Sequence, residues 1–358
     1  MISVAKPLLD QEEIDAVTKV LNSGILAQGP KVEEFENAFS EYIGCEYSVA
    51  VNSGTSALLA SLLAHRIGKG DEVVTTPFSF IATANSILYT GAKPVFADID
   101  PDTYNIDPEK VQEKISQKTK AIIPVHLYGH PVEMKTLVEI AEESKLIVIE
   151  DACQAHGAIY KEKRVGSFGT GAFSFYPTKN MTTSEGGMLT TNNREIAEKA
   201  KMIRAHGSKI RYLHECLGFN FRMTDISAAI GLVQLGKLEN FIVARQKNAA
   251  LLTAGLKGIS GIATPRIADD CSHVFHQYTI RAEKRDKLAS FLKEKGVGTG
   301  IYYPIPIHKQ PFYREIGYTD FLPVAEKAAA EVLSLPVHPG VLEEDVQYII
   351  DAIKEFST

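Results

Sequence analysis

The sequence predicts an α/β protein, with a mostly parallel sheet of seven strands flanked by helices and a smaller C-terminal α+β domain. Seven short apolar runs precede residue 192 and lack polar alternation, so both faces of each predicted strand should be buried. Helical patterns separate several of these runs, as the crossover connections of a parallel sheet require. Beyond residue 192 the pattern changes to helices with a few interspersed strands.

The elements follow in chain order. The predicted strands are YSVAV (47–51), EVVTTP (72–77), KPVFADI (93–99), KAIIPVHLY (120–128), KLIVIED (145–151), AFSFY (172–176) and GGMLTT (186–191). Helices are predicted at SALLASLLAHRIG, at PVEMKTLVEIAEES and at NREIAEKAKMIRAHG, which Gly207 ends. Residues 223–256 are predicted to form one long or kinked helix. This helix would connect a large domain of residues 1–240, N-terminal arm included, to a small domain of residues 241–358.

Composition and charge argue against several classes of function. The 358 residues are 45% hydrophobic and 23% charged, and the net charge of −6 favours neither nucleic acid nor an anionic membrane as a partner. The first residues, MISVAKPLLDQEEID, do not read as a secretory leader, and no run of about 18 apolar residues predicts a membrane span. The four cysteines lie far apart, so we expect free thiols in a reducing cytoplasm.

A possible phosphate site occurs in VNSGTSALLASLL (51–63), where a strand turns through Ser-Gly-Thr into a helix. The first N–H groups of a helix are unpaired and lie at its positive end, so they suit an anion. Gly54 would allow close approach of the backbone, and Thr55 would add a hydroxyl donor. The alternative is that Ser53 simply caps the helix.

Two further residues follow buried strands. Asp151 ends KLIVIED, where open α/β sheets bind ligands, and its carboxylate could hold a proton on a heteroaromatic nitrogen; a helix cap or a surface acid is the alternative. Lys179 follows AFSFY, and a lysine amine in an apolar site becomes a nucleophile for carbonyls; an exposed, solvated lysine is the alternative.

Together, a phosphate cradle, an acid for a ring nitrogen and an imine-forming lysine are the parts that pyridoxal 5'-phosphate (PLP) needs. At these residues the chain resembles the DegT/DnrJ/EryC1/StrS family of PLP-dependent sugar aminotransferases, which have the aspartate aminotransferase-like fold, fold type I. The resemblance runs from GPKVEEFENAFSEYIGCEYSVAVNSGTSAL through EDACQAHGA and SFYPTKNMTTSEGGM to LGFNFRMTDISAAIGLVQL and YYPIPIHKQPFY, and so covers nearly the whole chain.

The resemblance implies roles for individual residues. Lys179 would form the imine link to PLP, Asp151 would pair with the pyridinium nitrogen, and Gln154 would lie near the ring hydroxyl. Phe80 would stack on the ring, with core packing as the alternative. The remaining cofactor contacts would be made to the phosphate by Gly54, Thr55 and Ser174, and by Asn220 reaching the phosphate of the neighbouring subunit. The protein would therefore be a homodimer with shared active sites.

Arg222 and His308 match positions near the substrate pocket of the family. Their alternatives are a salt-bridged arginine and a capped histidine. His126 with His130, and His273 with His276, have spacings that a metal could use. No cysteine or carboxylate set accompanies them, so no metal site is predicted.

The implied activity is transfer of an amino group from an amino acid, expected to be L-glutamate, to a nucleotide-linked ketosugar of polysaccharide biosynthesis. GFNFRMTDI is more similar to members that act at sugar C4, so a 4-keto-6-deoxy sugar is expected. A PLP-dependent sugar dehydratase is a rival, but that branch carries histidine in place of Lys179. A cyclitol aminotransferase and a non-catalytic regulatory protein on this fold remain alternatives.

Overall fold

Seven strands form the central sheet of the computed structural model, which describes residues 1–357. They are β1 (Tyr47–Val51), β2 (Glu72–Thr75), β3 (Lys93–Phe96), β4 (Thr119–Ile123), β5 (Ile147–Asp151), β6 (Thr170–Ser174) and β7 (Gly187–Thr191). Their spatial order is β1-β7-β6-β5-β4-β2-β3, and only β7 runs antiparallel to its neighbours. The predicted mostly parallel sheet is confirmed, and every strand overlaps its predicted run.

Both faces of the sheet are buried, as the uninterrupted apolar runs predicted. Val73 and Ile123 belong to one apolar cluster with Leu58 and Leu62, whereas Val74 and Ile122 belong to another on the opposite side. Successive side chains of a strand point to opposite faces, so this division follows from the strand period of two. The predicted run 120–128 ends early, because the chain leaves β4 after Ile123 and turns at 127–129.

Twelve α-helices accompany the strands within the described residues. They are α1 (Gln11–Ser23), α2 (Pro30–Ile43), α3 (Gly54–Ala64), α4 (Ala82–Tyr89), α5 (Pro108–Lys114), α6 (Met134–Glu143), α7 (Arg194–Arg204), α8 (Asp225–Leu256), α9 (Arg285–Glu294), α10 (Pro311–Glu315), α11 (Pro323–Glu331) and α12 (Glu343–Ser357). Short 3₁₀ turns occur at Leu127–Gly129 and Ile307–Lys309.

The predicted long helix is the unbroken 32-residue α8. It begins at the N-cap Thr224, whose side chain accepts a hydrogen bond from Ser227 N. Within residues 1–357, α8 alone is long and apolar enough to cross a membrane. It packs against α1, α2 and α12, as a helix of a folded core does.

A second, antiparallel sheet lies in the C-terminal part. Its strands, in spatial order, are β8 (Ile262–Ala263), β9 (Tyr278–Ala282) and β10 (Val332–Leu335). An apolar cluster from this sheet, the end of α8, α9 and α12 forms its core. The predicted boundary at residue 240 falls inside α8, and it stays a prediction. Shorter ladders elsewhere involve Ile159–Tyr160, Lys163–Arg164, Ser208–Ile210, Leu213–His214 and Cys271–Ser272.

A charged cluster ties the N-terminal arm to α8. The Lys237 ammonium lies 3.0 Å from both Glu13 carboxylate oxygens and 2.9 Å from an Asp10 oxygen. Glu13 is buried, and its carboxylate also accepts a hydrogen bond from Gln234 Nε2 at 2.7 Å. A buried carboxylate needs such partners, so this cluster holds the arm in place.

Candidate active site

A cavity of about 500 Å³ opens beside the carboxyl ends of β5 and β6. Asp151 and Ser174 are the last residues of these two strands, and α3 begins beside them at Gly54. Such strand ends are where open α/β sheets bind ligands. Seven of the residues singled out from the sequence line this one cavity: Gly54, Thr55, Phe80, Asp151, Gln154, Ser174 and Lys179.

The start of α3 is pressed against β6. A Cβ atom added at Gly54 would lie 2.7 Å from Ser174 Cβ and 2.9 Å from Cys153 Sγ, so no side chain fits there. Ser53 does cap the helix, because its Oγ accepts a hydrogen bond from Ser56 N at 3.1 Å. The cap leaves the N–H groups of Gly54 and Thr55 at the positive end of the helix, where they can donate to an anion.

Asp151 is buried in the cavity wall rather than exposed on a loop. Its Oδ2 accepts a hydrogen bond from Thr83 Oγ1 at 2.7 Å, and its Oδ1 accepts one from Cys153 N at 3.2 Å. Each carboxylate oxygen has two lone pairs, so both oxygens keep the capacity to accept a proton donor from a ligand.

The neighbouring Glu150 anchors β5 from the opposite face of the sheet. Its carboxylate accepts hydrogen bonds from the backbone N–H groups of 166, 168 and 169 at 2.7–3.0 Å, and from His126 Nε2 at 3.1 Å. His126 Nδ1 accepts from Val132 N at 3.0 Å, so the ring proton lies on Nε2 and the imidazole is neutral. Four donors therefore fix the strand position that precedes Asp151.

Lys179 lies in the loop between β6 and β7 and faces the same cavity. Its backbone N donates to Tyr176 O at 2.9 Å, and the hydroxyl of Thr182 donates to Phe175 O at 2.8 Å, so hydrogen bonds shape the loop on both sides. Burial lowers the pKa of the Lys179 ammonium, while the neighbouring Cys153 and Asp151 act in the opposite direction. A half-buried lysine with a lowered pKa is a suitable nucleophile for a carbonyl.

Gln154 and two aromatic residues complete the wall. Gln154 Oε1 accepts from Tyr128 N at 2.9 Å, which orients the amide Nε2 toward the Tyr303 hydroxyl at 3.3 Å. Burial raises the pKa of Tyr303, so its hydroxyl keeps its proton. The Phe80 ring lies 6.2 Å from the Tyr303 ring and is 56% exposed, so it presents a free aromatic face.

The structure does not bring Asn220, Arg222 or His308 to the cavity wall of this chain. Asn220 is exposed, and Arg222 makes no ion pair within residues 1–357. His308 is fully buried and its Nε2 lies 3.1 Å from Glu326 Oε1, as expected for a capped histidine. The roles of these three residues stay predictions.

Several lining residues were missed by sequence reasoning, among them Ser79, Thr83, Cys153, Tyr176, Thr178, Glu185, His276, Gln277, Tyr302 and Tyr303. His276 and Gln277 come from the C-terminal part of the chain, and no local pattern assigns them to the cavity. Tyr302 and Tyr303 begin the YYPIPIHKQPFY segment, but the resemblance gave them no role. Thr83 follows Ser79 by four residues, a spacing that brings side chains together on a helix, although Ser79 itself lies in the loop before α4. No group of three or more His, Cys, Asp or Glu side chains in residues 1–357 is arranged to hold a metal ion.

Residues 7–354 match the DegT/DnrJ/EryC1/StrS aminotransferase family. The chain belongs to this family. A pleiotropic regulatory protein of Geobacillus stearothermophilus is 47% identical over 353 residues, 97% of this chain and 95% of the relative. The dTDP-3-amino-3,4,6-trideoxy-alpha-D-glucose transaminase of Streptomyces venezuelae is 40% identical over 96% of this chain and 91% of its own. Among solved structures, S. venezuelae DesV superposes with a TM-score of 0.95 at 38% identity, covering 99% of both chains.

These comparisons confirm the predicted family, the fold type I architecture and the prediction of an aminotransferase. Aminotransferases of the DegT family depend on PLP. The cavity of this chain fits that cofactor, because a helix start without room for a side chain, a buried carboxylate and a lysine of lowered pKa surround one space.

Proposed function

We propose that this aminotransferase moves an amino group from L-glutamate to a nucleotide-linked 4-keto-6-deoxy sugar. The observation that carries the proposal is the arrangement of Lys179, Asp151 and the start of α3 around one cavity. That the acceptor is a nucleotide-linked sugar is supported by the names of further relatives, whereas the C4 position and the 6-deoxy group rest on the segment GFNFRMTDI. These relatives include a GDP-perosamine synthase of Caulobacter vibrioides, 40% identical, and a UDP-2-acetamido-2-deoxy-3-oxo-D-glucuronate aminotransferase of Pseudomonas aeruginosa, 40% identical.

The chain's residues would hold PLP by each of its parts. The N–H groups of Gly54 and Thr55 and the hydroxyl of Ser174 would bind the phosphate, since oriented N–H groups at a helix start favour an anion. Asp151 would accept the proton of the ring nitrogen, and Gln154 Nε2 would donate to the ring hydroxyl. The exposed face of Phe80 would cover one side of the ring.

When bound, PLP supplies an electron sink that stabilises negative charge on the substrate carbon bearing the amino group. Asp151 would keep the ring nitrogen protonated, because a negative charge beside a protonated nitrogen favours the charged form. Lys179 would hold the cofactor through its Nζ, and as a free amine it would serve proton transfer at the substrate. Because burial lowers the pKa of Lys179, its Nζ can then move a proton at the substrate carbon as a general base.

The Lys179→Ala variant tests the catalytic assignment. Turnover with L-glutamate and a panel of nucleotide-linked 3-keto and 4-keto sugars should be abolished, while the far-ultraviolet circular dichroism stays that of the wild type. Lys118→Ala, which changes an exposed lysine away from the cavity, is the matched control. Borohydride should fix the cofactor to residue 179 in the wild type and in the control. Turnover of Lys179→Ala within tenfold of wild type would overturn the assignment.

The same panel separates the alternatives. Amination at C3 instead of C4 would correct the position, release of water without amination would indicate a dehydratase, and a preference for cyclitol ketones would indicate a cyclitol aminotransferase. The G. stearothermophilus relative carries a regulatory name, but this chain keeps the lysine and the aspartate that a purely regulatory protein would not need. Absence of turnover with every acceptor would support that alternative.

We further propose a homodimer with shared active sites in the cytoplasm. Asn220 is exposed, and the same segment presents Tyr212 and Leu217, which are 80% and 83% exposed. Large apolar side chains so exposed are expected to be covered by a partner. The four cysteines are free, which suits a reducing compartment.

Complementation tests the shared site. Lys179→Ala and Asn220→Asp should each be inactive, the second because its carboxylate would repel the cofactor phosphate. If Asn220 serves the partner's site, a mixed dimer has one site with both lesions and one intact site. Equal mixing with free subunit exchange should then restore about a quarter of wild-type activity. No recovery, with exchange verified by a tagged chain, would place Asn220 outside the partner's site.

A further inference from the structure

Two buried hydroxyl groups, those of Ser79 and Thr83, connect the loop before α4 to Asp151. Ser79 Oγ lies 3.2 Å from Thr83 Oγ1, and Thr83 Oγ1 lies 2.7 Å from Asp151 Oδ2. All three side chains are buried, and all three line the cavity. Hydrogen bonds between buried groups, one of them ionised, are stronger than those at the surface.

The direction of these hydrogen bonds follows from their last member. A carboxylate can only accept, so the single proton of the Thr83 hydroxyl must point to Asp151. Thr83 Oγ1 is then an acceptor toward Ser79, and Ser79 must donate. Ser79 therefore donates to Thr83, and Thr83 donates to the Asp151 carboxylate.

The Thr83 hydroxyl makes this contact instead of a hydrogen bond to a preceding backbone carbonyl. A threonine inside a helix often donates to the carbonyl four residues earlier. Thr83 instead meets the side chain of residue 79, and its own backbone N donates to Phe80 O at 3.2 Å. The hydroxyl is thereby free to reach across from α4 to the end of β5.

We propose that Thr83 is a positioning residue that sets the orientation of the Asp151 carboxylate toward the cofactor ring nitrogen. The terminal torsion of an aspartate is broad, so hydrogen bonds decide its angle. Oδ1 has the backbone N–H of Cys153 at 3.2 Å, and Thr83 supplies the shorter bond on the other oxygen. This inference rests on the proposed role of Asp151.

The test compares Thr83→Val, which keeps the shape and removes the hydroxyl, with Thr83→Ser, which keeps the hydroxyl. The PLP dissociation constant is measured by absorbance titration of the cofactor-depleted full-length protein. We expect Thr83→Val to weaken PLP binding and to lower kcat by about tenfold each, the effect of losing a hydrogen bond to a charged group. Thr83→Ser should stay within about threefold of wild type on the same grounds.

A spectroscopic readout distinguishes positioning from packing. If Asp151 holds the ring proton less well, the ring carries less positive charge, and the nitrogen linking Lys179 to the cofactor becomes a stronger base. The pH at which the visible absorbance of the bound cofactor changes should therefore move upward in Thr83→Val and return in Thr83→Ser. Thr75→Val is the matched control, because Thr75 is buried and its hydroxyl donates to a backbone carbonyl, Ile123 O, at 2.8 Å. Thr75→Val should change neither the PLP dissociation constant nor the pH at which the visible absorbance changes.

Thr83→Val is then repeated in an Asp151→Asn background, because the effects of substitutions at two interacting residues do not add. We expect its effect there to fall below about twofold, since the charged acceptor is gone. An equal loss in both backgrounds would overturn the inference. If Asp151→Asn alone changes nothing, the proposed role of Asp151 fails instead. If Thr83→Val does not fold, Ser79→Ala is used in its place. Ser79→Ala should weaken PLP binding about threefold when residue 151 is aspartate, but not when it is asparagine. An unchanged PLP affinity in the protein with aspartate at 151 would overturn the inference.

Discussion

Replacement of Gly54 by alanine is expected to damage cofactor binding through the backbone alone. The new Cβ would lie 2.7 Å from Ser174 Cβ, 2.9 Å from Cys153 Sγ and 3.3 Å from Ser174 Cα. Cys153 Sγ could rotate about χ1, but Ser174 Cβ and Cα are fixed to the strand, so either α3 or β6 must move. Overpacking of this kind costs about 1–3 kcal/mol, which exceeds the helix propensity gained by replacing glycine with alanine.

The same movement should weaken PLP binding. The start of α3 would be displaced from Ser174, so N–H donors and hydroxyl could no longer converge on one phosphate. A hydrogen bond to a charged group contributes about 1.5–3 kcal/mol, so the loss of one bond predicts a PLP dissociation constant raised at least about tenfold. Absorbance titration measures the affinity, and urea unfolding of the cofactor-free protein measures the stability.

Two other glycines provide matched controls. A Cβ at Gly255 would lie 2.8 Å from Ile350 Cγ1 and 2.9 Å from Ile350 Cγ2, so Gly255→Ala should destabilise the protein by a similar amount while its PLP affinity stays unchanged. A Cβ at Gly236 meets nothing within 4 Å, so Gly236→Ala should be neutral or stabilise α8 by about 0.5–1 kcal/mol. If Gly54→Ala binds PLP as tightly as Gly255→Ala does, the start of α3 is not the phosphate site.

Three further outcomes are expected. Asp151→Asn should lower kcat with glutamate by at least about a hundredfold while PLP still binds, since an electrostatic partner is removed; unchanged kinetics would exclude its role. Burial lowers the pKa of His156 to about 3, below its unfolded value, so native stability falls as the pH drops through 6.5. Urea unfolding should show that His156→Met reduces the loss between pH 7 and pH 5 by about 2 kcal/mol, and an unaltered loss would contradict this. Lys237→Met should cost about 1–3 kcal/mol of unfolding free energy by leaving the buried Glu13 without its cation, whereas the exposed-site control Lys19→Met should cost nothing measurable; equal losses would show that the charged cluster does not stabilise the fold.

The sheet and the centre of the site could be predicted because both depend on short-range patterns. An apolar run of five to nine residues is enough to mark a strand buried on two faces, and the residue that ends a parallel strand must lie at the common edge. Asp151 ends β5 and Lys179 follows β6, so their common edge of the sheet is predictable without knowledge of the strand order.

Other parts of the site could not be predicted in this way. His276 and Gln277 reach the cavity from the C-terminal part of the chain, more than 90 residues beyond Lys179, and nothing in their local sequence assigns them to it. Tyr303 lies in the YYPIPIHKQPFY segment, but the segment does not reveal that its hydroxyl meets Gln154. His308 matches a position near the substrate pocket of the family, but the packing of Glu326 and Phe96 around its ring decides where it lies. Tertiary packing, which a local pattern does not encode, determines both cases.

The side chains of Glu150 and Asp151 point to opposite faces of the sheet, and this limits where the enzyme can gain or lose residues in evolution or in a library. Because the side chains of a strand alternate, deleting one residue inside β5 would exchange the two positions. The anchoring carboxylate would then turn into the cavity, and four donors would lose their acceptor. Length variants that retain activity should therefore fall in the connection at 144–146, between α6 and β5, and not in the strand itself.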